Sequence, residues 1–345
     1  MTSIAKKIKR IFSTLNVNII LVGIGLVAFI FAGTFFVWWN KEIVINGGEG
    51  EVIVDNKLSS IAGLPCENYM QRPISVMMPS DPEPRPLSGI SQADMVFEMP
   101  VTPGGVTRFM AVFQCEKPAE IGSIRSARKD FVPLAASLKS IYAHWGGEHG
   151  ILAELNKHVI DNLNALVYDG SAFFRKSTAK APHNGFTTYE KMLGLAEKLK
   201  YDLVDNFSGY LHQTSKPNRN LNNIVDSIDI DYPSPYNIRW VYVSNENVYK
   251  RTRGGRPETD KNSGQQVAVG VVIVMNTTAS FLYDQYIDVN VTGSGPVKIY
   301  QDGMMIVGNW KKDPATLDSK LFFLDDQGKE IELAPGKIWV EVTTD

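Results

Sequence analysis

Histidine and cysteine are scarce in this 345-residue chain, with five of the first and two of the second. Two cysteines exclude a disulfide-rich scaffold, and no CxxC pair exists for a zinc ribbon. No HExxH is present, and His144 and His149 stand five apart, so the spacing gives little support to a zinc site. The GxSxG, Walker and GxGxxG signatures are absent as well. No excess of basic charge exists either, since 35 Lys and Arg stand against 37 Asp and Glu. A nucleic-acid partner is therefore not expected, because such a partner calls for a basic face. No internal repeat or low-complexity tract is visible. With 44% apolar, 10% aromatic and 21% charged residues, the composition is that of a globular protein.

What is present first is a long uncharged run. Residues 17–39 read VNIILVGIGLVAFIFAGTFFVWW. At about 1.5 Å per residue such a helix spans roughly 34 Å, enough for a bilayer core of about 30 Å. Lys6, Lys7, Lys9 and Arg10 precede it without an acid, which favours a cytoplasmic amino-terminus. Trp38 and Trp39 sit where an interfacial aromatic belt belongs. The run is longer than a signal-peptide core and ends in FFVWW without a small-x-small site. The pattern predicts a cytoplasmic tail over 1–16, one transmembrane helix over 17–39 and a linker over 40–63. The rest would lie outside the cytoplasmic membrane.

The exterior part changes character along its length. Ile74 to Met78, Asp94 to Glu98 and Thr107 to Gln114 read as strands, the last two joined across TPGG. Asp130 to Lys139 and Ile151 to Lys157 read as helices around a strand at Ile141 to His144. This alternation predicts a mixed α/β domain over 64–218. Beyond it, short strand-like runs separated by turns such as QDG and DDQGK predict a smaller, mostly β domain over 219–345. The fold class expected is α+β or α/β, preceded by one transmembrane helix. Cys66 and Cys115 would lie where a disulfide is permitted. The sequence leaves both the bridge and two free thiols open.

Polar residues in tight places are the candidate site. Glu98 ends an apolar strand and Arg108 begins the next. Arg125 and Arg128 flank Ser126 in GSIRSAR, before a helix. His144 closes a strand ahead of WGG. Arg175, Lys180, His183 and Asn184 lie in FFRKSTAKAPHN. Glycine loops admit a ligand close to the backbone, and arginine forks match carboxylate or phosphate. Converging, these segments would form an anion-binding cleft, with Glu98 or His144 as proton donor or acceptor. Each has a plainer alternative: a Glu98–Arg108 pair across the hairpin, solvated arginines, a hydrogen-bonded core histidine. His149 and His158 read as surface residues.

The ordered strings RPISVMM, RPLSG, QADMVFE, GGVTRFMAVFQ, IGSIRSAR, YAHWGG, FFRKSTAKAPHN, DGMMIVGNWKK and LAPGKIWVEV cover most of residues 70–345. In this set the chain resembles the YerB-type envelope proteins, defined by domain of unknown function 3048. The resemblance implies a bacterial exported protein with an amino-terminal and a smaller carboxy-terminal domain, and it brings no settled activity. Arg85, which opens RPLSG, joins the ligand-binding candidates. Many members look like lipoproteins. This chain departs from them, since no cysteine follows its apolar run. It also carries Lys176 where an acid often follows the arginine, and Glu258 where the family tends to show a histidine.

Three functions remain in view. One is an enzyme on an envelope polymer, a cell-wall glycan lyase or hydrolase. Glu98 would be its acid or base, His144 or His183 the partner, and the arginines its clamps. A single acid fits a lyase better than a two-carboxylate glycosidase. The second is a module that binds the same anionic ligand without breaking a bond. The third is an assembly partner of other envelope proteins. No cofactor or metal is expected.

Overall fold

The computed structural model describes residues 57–215 and 224–344, which belong to one compact unit. The predicted tail, transmembrane helix and most of the linker lie outside the described residues. Among the described residues no helix is long and apolar enough to cross a membrane.

The amino-terminal part is mixed α/β. Its strands are β1 (Ile74–Pro79), β2 (Met95–Pro100), β3 (Thr107–Phe113), β4 (Ile141–His144) and β5 (Asn162–Asn164). Its helices are α1 (Val132–Ser137), α2 (His149–Asn156), α3 (Ala165–Tyr168) and α4 (Tyr189–Lys198). The carboxy-terminal part is almost entirely β. It supplies β6 (Ser227–Ile230), β7 (Ile238–Val243), β8 (Val248–Arg253), β9 (Val271–Thr277), β10 (Gly293–Gln301), β11 (Met304–Lys312), β12 (Phe322–Leu324) and β13 (Ile338–Thr344).

Strands from both parts build a single ten-stranded sheet in the order β12-β11-β10-β9-β13-β2-β3-β1-β4-β5. The join is β13, which runs parallel to β2 on one side and to β9 on the other. The central strands β1, β2 and β3 are buried at every position. That is why ISVMMP and TRFMAVF carry apolar side chains on both faces, as expected of strands covered on both sides. One face packs Met77, Phe97, Met110 and Val112 against α1 and α2. The other packs Val76, Phe109 and Ala111 against α4 and a smaller sheet of β6, β7 and β8. In that smaller sheet β7 and β8 alternate buried and exposed, so one face lies on the large sheet and the other meets water.

Local chemistry sets the helix ends. The Glu148 carboxylate accepts from the N–H groups of Gly150 and Ile151 to start α2, and Ile151 and Leu155 then face inward. Thr188 caps α4 through the Lys191 N–H, and Tyr189, Met192, Leu195 and Ala196 form its buried stripe. The helix expected over 130–139 is shorter, a 3₁₀ turn at Lys129–Phe131 running into α1, with Pro133 in its first turn.

Cys66 and Cys115 are joined in a disulfide, with Cα atoms 5.3 Å apart and a sequence separation of 49. Beside it, the Gln114 side chain takes a hydrogen bond from Ser59 (2.8 Å) and donates one to Asp205 (2.8 Å). The bridge therefore ties the residues before β1 to the exit of β3. Opening a loop of this length costs about 4 kcal/mol in the chain-entropy account. The double substitution Cys66→Ser/Cys115→Ser should lower stability by about that amount. Denaturant unfolding checks it, and reductant added to the native protein should reproduce the shift.

Candidate functional site

Two sets of arginines occupy opposite faces of the large sheet, and they differ in what neutralises them. The first set is structural. Glu98 on β2 and Glu341 on β13 are register partners, and both are fully buried. From the covering sheet, Arg251 and Arg253 on β8 point into them. Arg251 is paired with Glu98, and Arg253 Nη2 lies 2.5 Å from the same carboxylate. The Nε atoms of Arg251 and Arg253 lie 3.1 and 3.2 Å from Glu258 Oε2. Thr107 donates to Glu98, and Trp240 Nε1 donates to Glu341 at 2.9 Å. The Arg251 guanidinium also stacks 4.1 Å from the Trp339 ring centroid.

Protonation follows from this packing. Burial pushes Glu258 up, but Arg253, Arg251 and Arg85 outweigh it and hold the carboxylate below its ordinary value. Glu341 has the poorer share of the cations. Burial, with Glu98 adding to it against the pull of Arg251, pushes its carboxyl up to about 8. Glu98 itself is sealed from solvent and shared between two guanidiniums and a hydroxyl. It does not meet the expectation of an acid or base that touches a ligand. It does not pair with Arg108 either, because the two side chains leave opposite faces of the sheet.

The second set sits at the carboxyl ends of the parallel strands, the edge where open α/β sheets gather ligands. Here β1, β2, β4, β5, β9 and β13 all end, and β3, which runs against β1 and β2, begins. Arg108 is its second residue and is 4% exposed. The segment after Gly122 threads between the ends of β1 and β4. Arg125 N–H donates to Met77 O (2.8 Å), Trp145 N–H to Arg125 O (2.9 Å) and Ala127 N–H to Gly146 O (2.8 Å). This delivers Arg125 and Arg128 beside Arg108. Each guanidinium reaches one backbone carbonyl: Arg108 to Ser126 O (3.4 Å), Arg125 to Pro182 O (3.3 Å), Arg128 to Ala127 O (2.9 Å). The Nε atoms of all three are buried without a hydrogen-bond partner. Among the described residues no carboxylate forms an ion pair with any of them. Burial, with Arg128 and Arg125 adding to it, lowers Arg108 to about 9. Burial lowers Arg128 as well.

Other groups frame this edge. His183, half-buried, is lowered by burial and then by Arg125. Asp81 follows β1 and acts on both Arg108 and His183. A hairpin of Ala279–Tyr283 and Tyr286–Val289 comes from the carboxy-terminal part. Its Tyr286 ring lies 5.0 Å under the Arg128 guanidinium, and Asp288 pairs with Lys129 at 2.6 Å. A cavity of about 640 Å³ between this hairpin, Pro100, Tyr232 and Thr344 contains none of these arginines.

The remaining candidates are placed elsewhere. His144 is fully buried with both ring nitrogens engaged, Nδ1 at 2.8 Å from Gly146 O and Nε2 at 3.2 Å from Asn162 Oδ1. Burial lowers it against the pull of these two acceptor oxygens, and the ring is spent on the core rather than turned to a ligand. Arg175 stacks 4.3 Å over Trp145, pairs with Asp169 (2.9 Å) and donates to Asn184 (3.1 Å), which satisfies both candidates. Gly185 is required there, since a Cβ would stand 2.3 Å from Trp145 Cε3. Lys180 is exposed on the loop. Arg85 belongs to the other face, where it lines a cavity of about 560 Å³ with Arg253 and Glu258. Sequence reasoning missed Asp81 and Tyr286.

Comparison with known proteins gives three matches. Residues 61–202 match the N-terminal domain of a protein family of unknown function, DUF3048, and residues 228–340 match its C-terminal domain. The chain is 31% identical over 291 residues to the "Putative lipoprotein YerB" of Bacillus subtilis (strain 168), covering 83% of this chain and 86% of that protein. The crystal structure of the YerB protein from Bacillus subtilis superposes with a TM-score of 0.75 at 30% identity, over 84% of this chain and 97% of that one.

The buried network yields a paired prediction. Glu98→Gln strips the shared counter-charge from Arg251 and Arg253 and should cost about 3–5 kcal/mol, as breaking a buried pair does. Glu341→Gln mimics the protonated carboxyl and should be nearly neutral below pH 4.5 and more stable than the native protein at pH 7. Its effect lies in the pH dependence. The folded-state value of about 8 exceeds the ordinary 4.5, so this group's stabilisation is complete below pH 4.5 and is lost as pH rises through 8. Denaturant unfolding across that window should show the native protein losing stability relative to Glu341→Gln as pH rises.

Proposed function

The chain belongs to the DUF3048 family, and on that premise we propose that it is a membrane-tethered, extracytoplasmic protein that binds an anionic cell-envelope ligand, peptidoglycan or a related glycan. The observation that carries the reading is the triad of Arg108, Arg125 and Arg128, buried or half-buried beside one another with unpartnered Nε atoms and, among the described residues, no carboxylate paired to them. Gathering three cations out of water with no carboxylate in ion-pair contact among the described residues is costly unless an anion completes the site.

Tethering is supported by the uncharged run over 17–39 behind a basic tail, and by the relative's description as a lipoprotein. The Cys66–Cys115 disulfide fits an oxidising compartment outside the cytoplasm. Binding is favoured over bond breaking because Glu98 and His144, the two groups expected to move a proton, are both sealed and fully engaged.

The test is calorimetric titration of the full chain in nonionic detergent with purified muropeptides and with an anionic glycan. Binding without product on chromatography is expected. Arg125→Gln and Arg128→Gln should each weaken it about tenfold or more, the worth of a charge-assisted hydrogen bond. Undiminished affinity in the double variant, or turnover of the ligand, would overturn the reading.

A further inference from the structure

The triad carries more information than its sign, and the ligand class it selects rests on the anion-binding reading. Asp81 stands two residues past Pro79, the register partner of Arg108, at the carboxyl end of β1, and acts on Arg108. Its Oδ1 accepts weakly from the Tyr236 hydroxyl at 3.5 Å, while its Oδ2 is buried without a donor. The site therefore presents unpartnered donors on one side and an unpartnered acceptor on the other. Asp81 acts on Arg108 and Glu148 on Arg128, but the Glu148 carboxylate is already taken up by the N–H groups of Gly150 and Ile151, so the three guanidiniums keep a surplus of positive charge to be matched. A carboxylate supplies one negative charge, whereas a phosphate monoester carries about 1.5–2 at pH 7. Its several oxygens on one centre also suit three forks held side by side, since guanidinium and phosphate match bidentately. The acceptor excludes a second anionic group at Asp81 and asks instead for a hydrogen-bond donor, which a hydroxyl supplies without adding charge.

We propose that the ligand group bound here is a phosphate monoester on a hydroxyl-bearing carrier, with its phosphoryl oxygens on Arg108, Arg125 and Arg128 and a carrier hydroxyl donating to Asp81 Oδ2. Nothing is cleaved in this assignment. The same chemistry occurs on a polyol or sugar phosphate and on a phosphomonoester lipid headgroup.

The full chain in nonionic detergent is titrated with sn-glycerol 3-phosphate, ethyl phosphate and malate. Glycerol phosphate should bind about five- to tenfold tighter than ethyl phosphate, the contribution of one hydrogen bond, and about tenfold or more tighter than malate. Asp81→Asn replaces an acceptor-only carboxylate by an amide and should erase the preference for glycerol phosphate over ethyl phosphate, while binding of ethyl phosphate holds or improves. Circular dichroism of that variant checks that it is folded, and its retained ethyl phosphate binding is a second check. Malate binding as tightly as glycerol phosphate, or an unchanged preference in Asp81→Asn, overturns this assignment and leaves the anion-binding reading standing. Failure of every anion, muropeptides included, overturns the reading itself. Short-chain phosphatidic acid separates the two sources. Competition with glycerol phosphate that depends on Arg125 supports the monoester on a lipid headgroup. Binding of glycerol phosphate without such competition supports it on a polyol or sugar.

Discussion

The shared carboxylate of Glu98 holds the two parts of the molecule in one body. Glu98 belongs to the amino-terminal part, Arg251, Arg253 and Glu258 to the covering sheet, and Glu341 to the last strand. Each charge taken from water costs several kcal/mol on its own, so the cluster is tolerable only when complete. Completion needs β13 inserted beside β2 and β8 laid across both, with Trp240 and Trp339 closing against one another at 5.5 Å. A misplaced terminal strand would strand ions in an apolar interior, and that penalty selects this topology over slipped alternatives.

The same yardstick separates structure from site. Arg251 and Arg253 have carboxylates, a hydroxyl, a carbonyl and aromatic faces around their guanidiniums. Arg108, Arg125 and Arg128 have one backbone carbonyl each. A guanidinium has five N–H donors, so the second set keeps most of its capacity unspent. Exposure does not distinguish them, since Arg108 is nearly as buried as Arg253. What distinguishes them is satisfaction.

Much of the fold was legible in the sequence. ISVMM, DMVFE and TRFMAVFQ announced three strands by composition, and TPGG announced the turn between two of them. KIWVEV announced β13, yet nothing local says that it pairs in parallel with β2, because a long-range register leaves no periodic trace. Glu98 was misleading for a related reason. An acid at the end of an apolar strand looks the same whether it awaits a substrate or an arginine 153 positions away. Glu258, singled out in the sequence as a departure, lies in the network rather than at the triad. Glu98 and Phe109 are register partners, so Glu98 and Arg108 must point to opposite faces, and no single cleft can hold both. The loop residues were legible only in part. GSIRSAR and PHN marked the edge, whereas Asp81, hidden among prolines, gave no pattern at all.

The placement of the triad explains why it is assembled from so many segments. Arg108 rides on a central strand buried along its whole length, while Arg125 and Arg128 are pinned by backbone bonds to Met77, Trp145 and Gly146. Tyr286, from the other part of the chain, stacks beneath Arg128. Repulsion among three cations would spread them if they stood on mobile loops. Fixing the backbone on strand ends removes that escape, so the repulsion is retained in the site and is relieved only by a negative group. The satisfied arginines therefore serve the unsatisfied ones: by locking β2, β13 and β8 together they keep the sheet edge rigid, and a rigid edge is what lets like charges remain side by side.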